Sequence, residues 1–86
     1  MNMLLERKFQ AAAKNVFNLT SKPSNDILLT LYAFYKQATE GDVNHPKPYT
    51  KGMKAMVKWD SWKKIEGMSQ EDAKKEYVRI VDGLLS

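Results

Sequence analysis

The sequence predicts an all-α protein, a four-helix bundle folded as a single domain over residues 1–86. Apolar residues recur at three- and four-residue spacing in four separate stretches, the mark of helices with one buried face. Ser24, Asn25 or Asp26 before the second stretch and Ser69 before the fourth are residues that cap helix starts, while Gly41 and Gly67 stand where the second and third stretches end. No run of alternating apolar and polar residues suggests a strand.

The first helix is expected from about Leu4 to Phe17, with Leu5, Phe9, Ala12, Ala13 and Val16 on one face. Residues 18–23 break it, because Pro23 lacks a donor and pushes Lys22 out of the helical region. The second helix is expected to start at Ser24, Asn25 or Asp26 and to run to Glu40. Ile27, Leu31, Phe34 and Ala38 form one stripe and Leu28, Tyr32, Tyr35 and Lys36 an adjacent one, which suggests a core face beside a ligand or partner face. Two prolines and a glycine make residues 41–50 a loop. The third helix is expected near Met53 to Glu66, with Ala55, Trp59 and Trp62 as its core face. The fourth opens on Ser69-Gln70-Glu71-Asp72, a capping-box pattern with acids at the positive helix end. Ala73, Tyr77, Ile80, Val81 and Leu84 then trace its apolar face.

Composition narrows the function. The chain has no cysteine and one histidine, so disulfides, thiolate metal sites and histidine clusters are excluded. His45 sits in the proline-containing loop and is expected to be solvated. No Gly-rich phosphate loop is present, and Glu71 and Asp72 have a capping role. Neither a catalytic residue nor a metal ligand is expected, and the chain reads as a binding protein rather than an enzyme. No apolar run is long enough to span a membrane. Glu6, Arg7 and Lys8 near the start exclude a secretory signal, and the C-terminus matches no lipidation motif. A cytoplasmic protein without stable membrane insertion is expected; a start at Met1 with no linker suggests a chain that stands alone.

The net charge of +4 is concentrated. Residues 51–64 hold five lysines against Asp60 alone, and the rest of the chain balances nine against nine. That is the footprint of an anionic ligand rather than of a generally basic protein. Nucleic acid is disfavoured, since Arg7 and Arg79 are the only arginines and base readout relies on guanidinium forks. Tyr32, Tyr35 and Lys36 lie within one helical turn: two rings able to stack on a base, and a cation able to meet a phosphate. Lys54 and Lys58, also one turn apart, supply further cations beside Trp59 and Trp62.

Four fragments bring a family into view: Lys22-Pro23; Tyr32-x-x-Tyr-Lys-Gln-Ala-Thr-x-Gly-Asp-x-Asn44; Lys58-Trp-Asp-x-Trp62; and Gly67-x-Ser-x-Glu-Asp-Ala73, continuing to Tyr77-Val78. In order and spacing they resemble the acyl-CoA-binding protein family over nearly the whole chain. The resemblance implies an up-down-down-up arrangement and non-covalent binding of long-chain fatty acyl-CoA thioesters, with no cofactor. It implies that Tyr32, Lys36 and Lys58 hold the ribose 3′-phosphate, that Tyr35 lies against the adenine with Ala13 and Tyr77 nearby, and that Lys54 adds charge along the head group. Leu28 and Leu29 would flank the pantetheine and acyl chain, with Met53 and Met56 as weaker candidates for the lining. Phe17 stands near the nucleotide where many members carry a lysine, and Lys14, one turn earlier, is the candidate to compensate. Met56 replaces another common lysine, and Pro46 is an extra proline.

The physical reading agrees. A base stacked on an aromatic ring is worth about 1–3 kcal/mol, a shielded methylene about 0.8 kcal/mol, and an ammonium suits a phosphate as a point charge. An intracellular acyl-CoA carrier and pool former is therefore expected, monomeric and in transient contact with acyl-CoA-using enzymes. The alternative is a helical interaction module that docks an acidic partner or a membrane surface through its lysines.

Overall fold

The computed structural model describes residues 2–86; Met1 lies outside them. Among the described residues there are four α-helices and no strand. Helix α1 spans Met3–Asn15, and the Asn2 side chain caps it by accepting the Leu5 N–H at 3.1 Å. Leu5, Phe9 and Ala12 are its buried face. The α-helix stops two residues short of the expected Phe17, because its last turn tightens into a 3₁₀ turn over Val16–Asn18 before the chain extends at Leu19. That tightening turns Phe17 outward, leaving it 86% exposed.

Helix α2 spans Asn25–Glu40. Ser24 is its cap, with Oγ accepting the Ile27 N–H at 3.3 Å. It ends at Gly41, whose φ of +83° lies in the left-handed region that glycine reaches without strain. Helix α3 spans Met53–Lys63, three residues shorter than expected. Residues 64–67 instead form tight turns closed by Ile65 N–H to Trp62 O and Glu66 N–H to Lys63 O. The Asp42 carboxylate then takes the Gly67 N–H at 2.8 Å, pulling the chain out of helical register. Helix α4 spans Gln70–Leu85, capped by Ser69 Oγ accepting the Asp72 N–H at 3.0 Å. It buries Ala73, Lys74, Tyr77 and Val81.

Helix α2 is central, packing against α4 and α3, while α1 packs on α4. Specific contacts fix the directions. Glu6 pairs with Lys74 at 2.5 Å, and the Phe9 and Tyr77 rings meet edge-on at 5.2 Å, so α1 and α4 are parallel. The end of α2 meets the start of α4 where Gln70 donates to Ala38 O, so those two are antiparallel. Trp62 bonds to Gln37 and Lys58 sits over Tyr32, so α2 and α3 are parallel. The result is the expected up-down-down-up bundle.

The main core joins Phe9, Ala12, Leu31, Ala38, Ala73, Tyr77 and Val81. On α2 the buried set is Leu31, Ala33, Gln37 and Ala38, whereas Ile27 and Phe34 of the expected stripe are half-buried and pack against the core margin. Trp62 is fully buried. Trp59, expected beside it, is half-buried at the edge of the same face. Its indole donates to the His45 carbonyl at 3.0 Å, and Lys47 pairs with Asp60 at 3.0 Å, so the central loop is tied to α3.

A polar knot sits where α2, α3 and α4 converge. Gln37 is 1% exposed. Its Nε2 donates to Asp42 Oδ1 at 2.8 Å and to Met68 O at 2.7 Å. Its Oε1 accepts the Trp62 indole N–H at 3.1 Å, and the same N–H reaches Gly41 O at 2.9 Å. Among the described residues no buried side-chain nitrogen or oxygen lacks a partner, which removes the penalty that buried polar groups otherwise carry.

Replacing Gln37 with Leu should destabilise the fold by about 1–3 kcal/mol, because Met68 O and Asp42 Oδ1 lose a donor and the Trp62 N–H is left with Gly41 O alone; the shift of the urea midpoint measures it. The hydrogen bonds from the Gly67 N–H, first, and from Gln37 hold the Asp42 carboxyl below the ordinary aspartate range. A depressed carboxylate stabilises the fold above its unfolded-state pKa and loses that contribution as pH falls through the folded-state value. The stability gap between wild type and Asp42→Asn should therefore be full near neutrality and shrink below the ordinary aspartate range, as read from unfolding midpoints across an acid series.

Candidate functional site

Two adjoining clefts open where α2 passes α3 and the end of α1. The larger, about 620 Å³, is lined by Ala13, Val16, Phe17, Leu28, Leu31, Tyr32, Tyr35, Lys54, Lys58 and Tyr77. Eight of the ten residues expected at a site from the sequence are thus brought to one depression. The second, about 420 Å³, shares Leu28, Tyr32, Lys54 and Lys58 with it and adds Lys22, Asn25, Leu29 and Val57. Leu29, the ninth expected residue, lies here.

One end of this surface is aromatic. The Tyr35 ring stacks on Phe9 at 5.7 Å and meets Tyr77 at 5.8 Å, while Phe9 and Tyr77 are themselves in edge contact. Phe9 and Tyr77 are buried, and Tyr35 keeps 41% of its surface in solvent. The core thus forms a floor on which Tyr35 is braced with one face available. Burial, with a smaller contribution from Tyr35, raises the Tyr77 phenol above its ordinary range, so its hydroxyl stays neutral near pH 7.

The neighbouring wall is cationic. Lys58 Nζ lies 5.2 Å from the Tyr32 ring centre, a cation–π contact that fixes the ammonium beside the aromatic end. Lys54 is one turn away on α3 and Lys22 approaches from the segment before α2. Toward Leu28, Leu29 and Val57 the lining becomes aliphatic. The surface can therefore receive a molecule with a flat ring, negative charge and an apolar tail.

Lys36 is the exception: it lines neither cleft. Its ammonium pairs with Glu40, one turn on, and lies 4.9 Å over the Trp62 ring. The hydrogen bond from Lys36 is the first cause of a lowered Glu40 carboxyl, with Asn44 second. Lys14, the candidate to compensate for Phe17, borders a separate surface with Arg7 and Gln10. Met53, 72% exposed at the start of α3, and half-buried Met56 line neither cleft. Sequence reasoning passed over Lys22, Asn25 and Val57. Lys22 carried a signal, because Pro23 pins the backbone on which it stands; Val57 carried none, since it belongs to no continuous stripe. Among the described residues no group of His, Cys, Asp and Glu side chains could hold a metal ion, and no helix is long and apolar enough to cross a membrane.

Comparison with known proteins agrees with this geometry. The family model described as acyl-CoA-binding protein matches residues 6–81. This chain belongs to that family. It is 48% identical over 83 residues to the acyl-CoA-binding protein of Saccharomyces cerevisiae, covering 96% of this chain and 95% of that one. The Drosophila melanogaster homolog is 42% identical over 83 residues, with 96% of each chain covered. The crystal structure of Oryza sativa acyl-CoA-binding protein 2 superposes with a TM-score of 0.88 at 40% identity, covering 94% of this chain and 90% of that one. The solution structure of the yeast protein gives 0.71 at 52% identity, with 90% of each covered.

Tyr35 and Tyr77, two of the three cleft tyrosines, should differ in kind. Tyr77→Ala removes a buried ring and should cost about 3–5 kcal/mol, the range for large aromatics in cores. Tyr35→Ala, more exposed, should cost clearly less. Denaturant unfolding of the two variants side by side tests the order; a larger loss for Tyr35→Ala would mean that the core and open faces have been exchanged.

Proposed function

We propose that this protein binds long-chain fatty acyl-CoA thioesters non-covalently and serves as their intracellular carrier and pool former, as one domain acting as a monomer in the cytoplasm. It is a binding protein, not an enzyme, and needs no cofactor. The observation that carries the reading is one surface of two adjoining clefts on which aromatic rings, lysines and aliphatic side chains come together, in a member of a family whose relatives are named for acyl-CoA binding.

In this reading the adenine packs on the open face of Tyr35, with Ala13, Phe17 and Tyr77 around it. Tyr32 and Lys58 meet the 3′-phosphate, and Lys54 and Lys22 line the path of the pyrophosphate. The pantetheine and acyl chain run along Leu28, Leu29 and Val57. Head-group charge gives specificity, and methylene burial gives most of the affinity. The covered thioester is shielded from water and passes to acyl-CoA-using enzymes by release.

Lys36 joins the phosphate by exchanging partners. A surface ion pair such as Lys36–Glu40 is worth about 0–1 kcal/mol, whereas a hydrogen bond to a charged group is worth about 1.5–3 kcal/mol. A 3′-phosphate carries up to two negative charges against one on the Glu40 carboxylate, and that difference favours the exchange.

Calorimetric titration should show one palmitoyl-CoA per chain, bound far more tightly than CoA or free palmitate. Equal affinity for palmitate and palmitoyl-CoA would sink the assignment. Lys58→Ala should weaken palmitoyl-CoA by roughly one to two orders of magnitude, with a much smaller effect on the 3′-dephospho ligand. Lys36→Ala should weaken binding likewise, while Glu40→Gln, which frees the Lys36 ammonium, should leave it unchanged or tighten it. A Glu40→Gln loss as large as that of Lys36→Ala would show that the pair acts as a unit and that no exchange occurs.

A further inference from the structure

A third depression, about 310 Å³, lies at the α2–α3 seam around the other side of Leu29, which lines both it and the aliphatic cleft already described. We infer that this depression is a subsite for the methyl end of acyl chains too long for the first aliphatic cleft, with Leu29 as the threshold between them. The inference rests on the proposed acyl-CoA reading and extends it to chain-length selection.

Three observations point to an alkyl occupant. The two linings meet at Leu29, and on α3 they follow one another, from Val57 in the first to Ser61, one turn on, and Ile65 in the second. The two hydroxyls in the depression are already satisfied. Ser61 Oγ donates to Val57 O at 3.1 Å, and Thr30 Oγ1 donates to Asp26 O at 2.9 Å. Their protons are engaged by backbone carbonyls and are not offered to a ligand. The charges differ as well. The first aliphatic cleft carries Lys22, Lys54 and Lys58 and favours an anion, whereas this one carries Asp26 and Lys64, one of each sign. Such a mouth gives no preference for a second phosphate but accepts an uncharged segment. Ala33 is buried and small, so the room beside Leu29 comes from the absence of a larger side chain at the helix seam.

Stearoyl-CoA and lauroyl-CoA, each carrying a nitroxide at the methyl end, would be added to isotopically labelled protein and the amide broadening mapped. The stearoyl label should broaden Ala33 and Ile65 most, and the lauroyl label should broaden Leu28 and Val57. Saturating stearoyl-CoA that broadens only Leu28 and Val57, or the cleft mouth, would overturn the subsite while leaving acyl-CoA binding standing. Absence of any shift at Tyr32 and Lys58 with either ligand would instead overturn the acyl-CoA reading and the subsite with it. A second measurement uses Thr30→Phe, an exposed position whose larger side chain fills the depression. A buried methylene is worth about fourfold in affinity, so losing two of them should lower the ratio of stearoyl- to lauroyl-CoA affinity about 16-fold. An unchanged ratio in a folded variant would overturn the subsite.

Discussion

The bundle turns on one buried side chain. Gln37 faces the place where three helices meet, and its amide answers a carbonyl, a carboxylate and an indole at once. An apolar residue there would fill space but take from Met68 O and Asp42 Oδ1 the donor that Gln37 supplies. Because Gln37 is satisfied, Trp62 can be wholly buried; because Trp62 is buried, α3 lies parallel against α2. Asp42 extends the same network to Gly67, ending α3 and starting the turn into α4. The cleft walls are set by these directions, so the geometry of the site depends on a contact at the far end of α2.

This arrangement divides the family motif by role. Gln37, Gly41, Asp42, Trp62 and Gly67 hold the helices together, while Tyr32, Tyr35 and Lys58 stand at the cleft. Structural and surface positions alternate within a few residues because a helix turns about 100° per residue. A dense motif on a helix therefore need not be a dense binding site.

The lysine excess is likewise divided by geometry. Lys54 and Lys58 face the cleft, Lys63 pairs with Glu66, and Lys47 from the loop neutralises Asp60 behind them. Two cations, joined by Lys22 from a different segment, shape the potential over the aliphatic floor. The aromatic end is braced by core residues, so Tyr35 keeps its orientation at little entropic cost to a ligand.

By itself, the sequence determined the helix count, the cap at Ser69 and the stop at Gly41, narrowed the α2 cap to Ser24, Asn25 or Asp26, and grouped Tyr32, Tyr35, Lys54 and Lys58, because these follow from local spacing and from side-chain chemistry that acts within one turn. The resemblance in its motifs supplied the topology before any coordinates. Tertiary structure decided what depends on contacts distant in the chain. It ended α3 at Lys63 through Asp42, turned Trp59 from core to loop anchor, committed Lys36 to Glu40 and Trp62, sent Lys14 to another surface, and brought Lys22 and Val57 to the cleft. Periodicity names the face a residue occupies; only the packing of one helix against another says what that face meets.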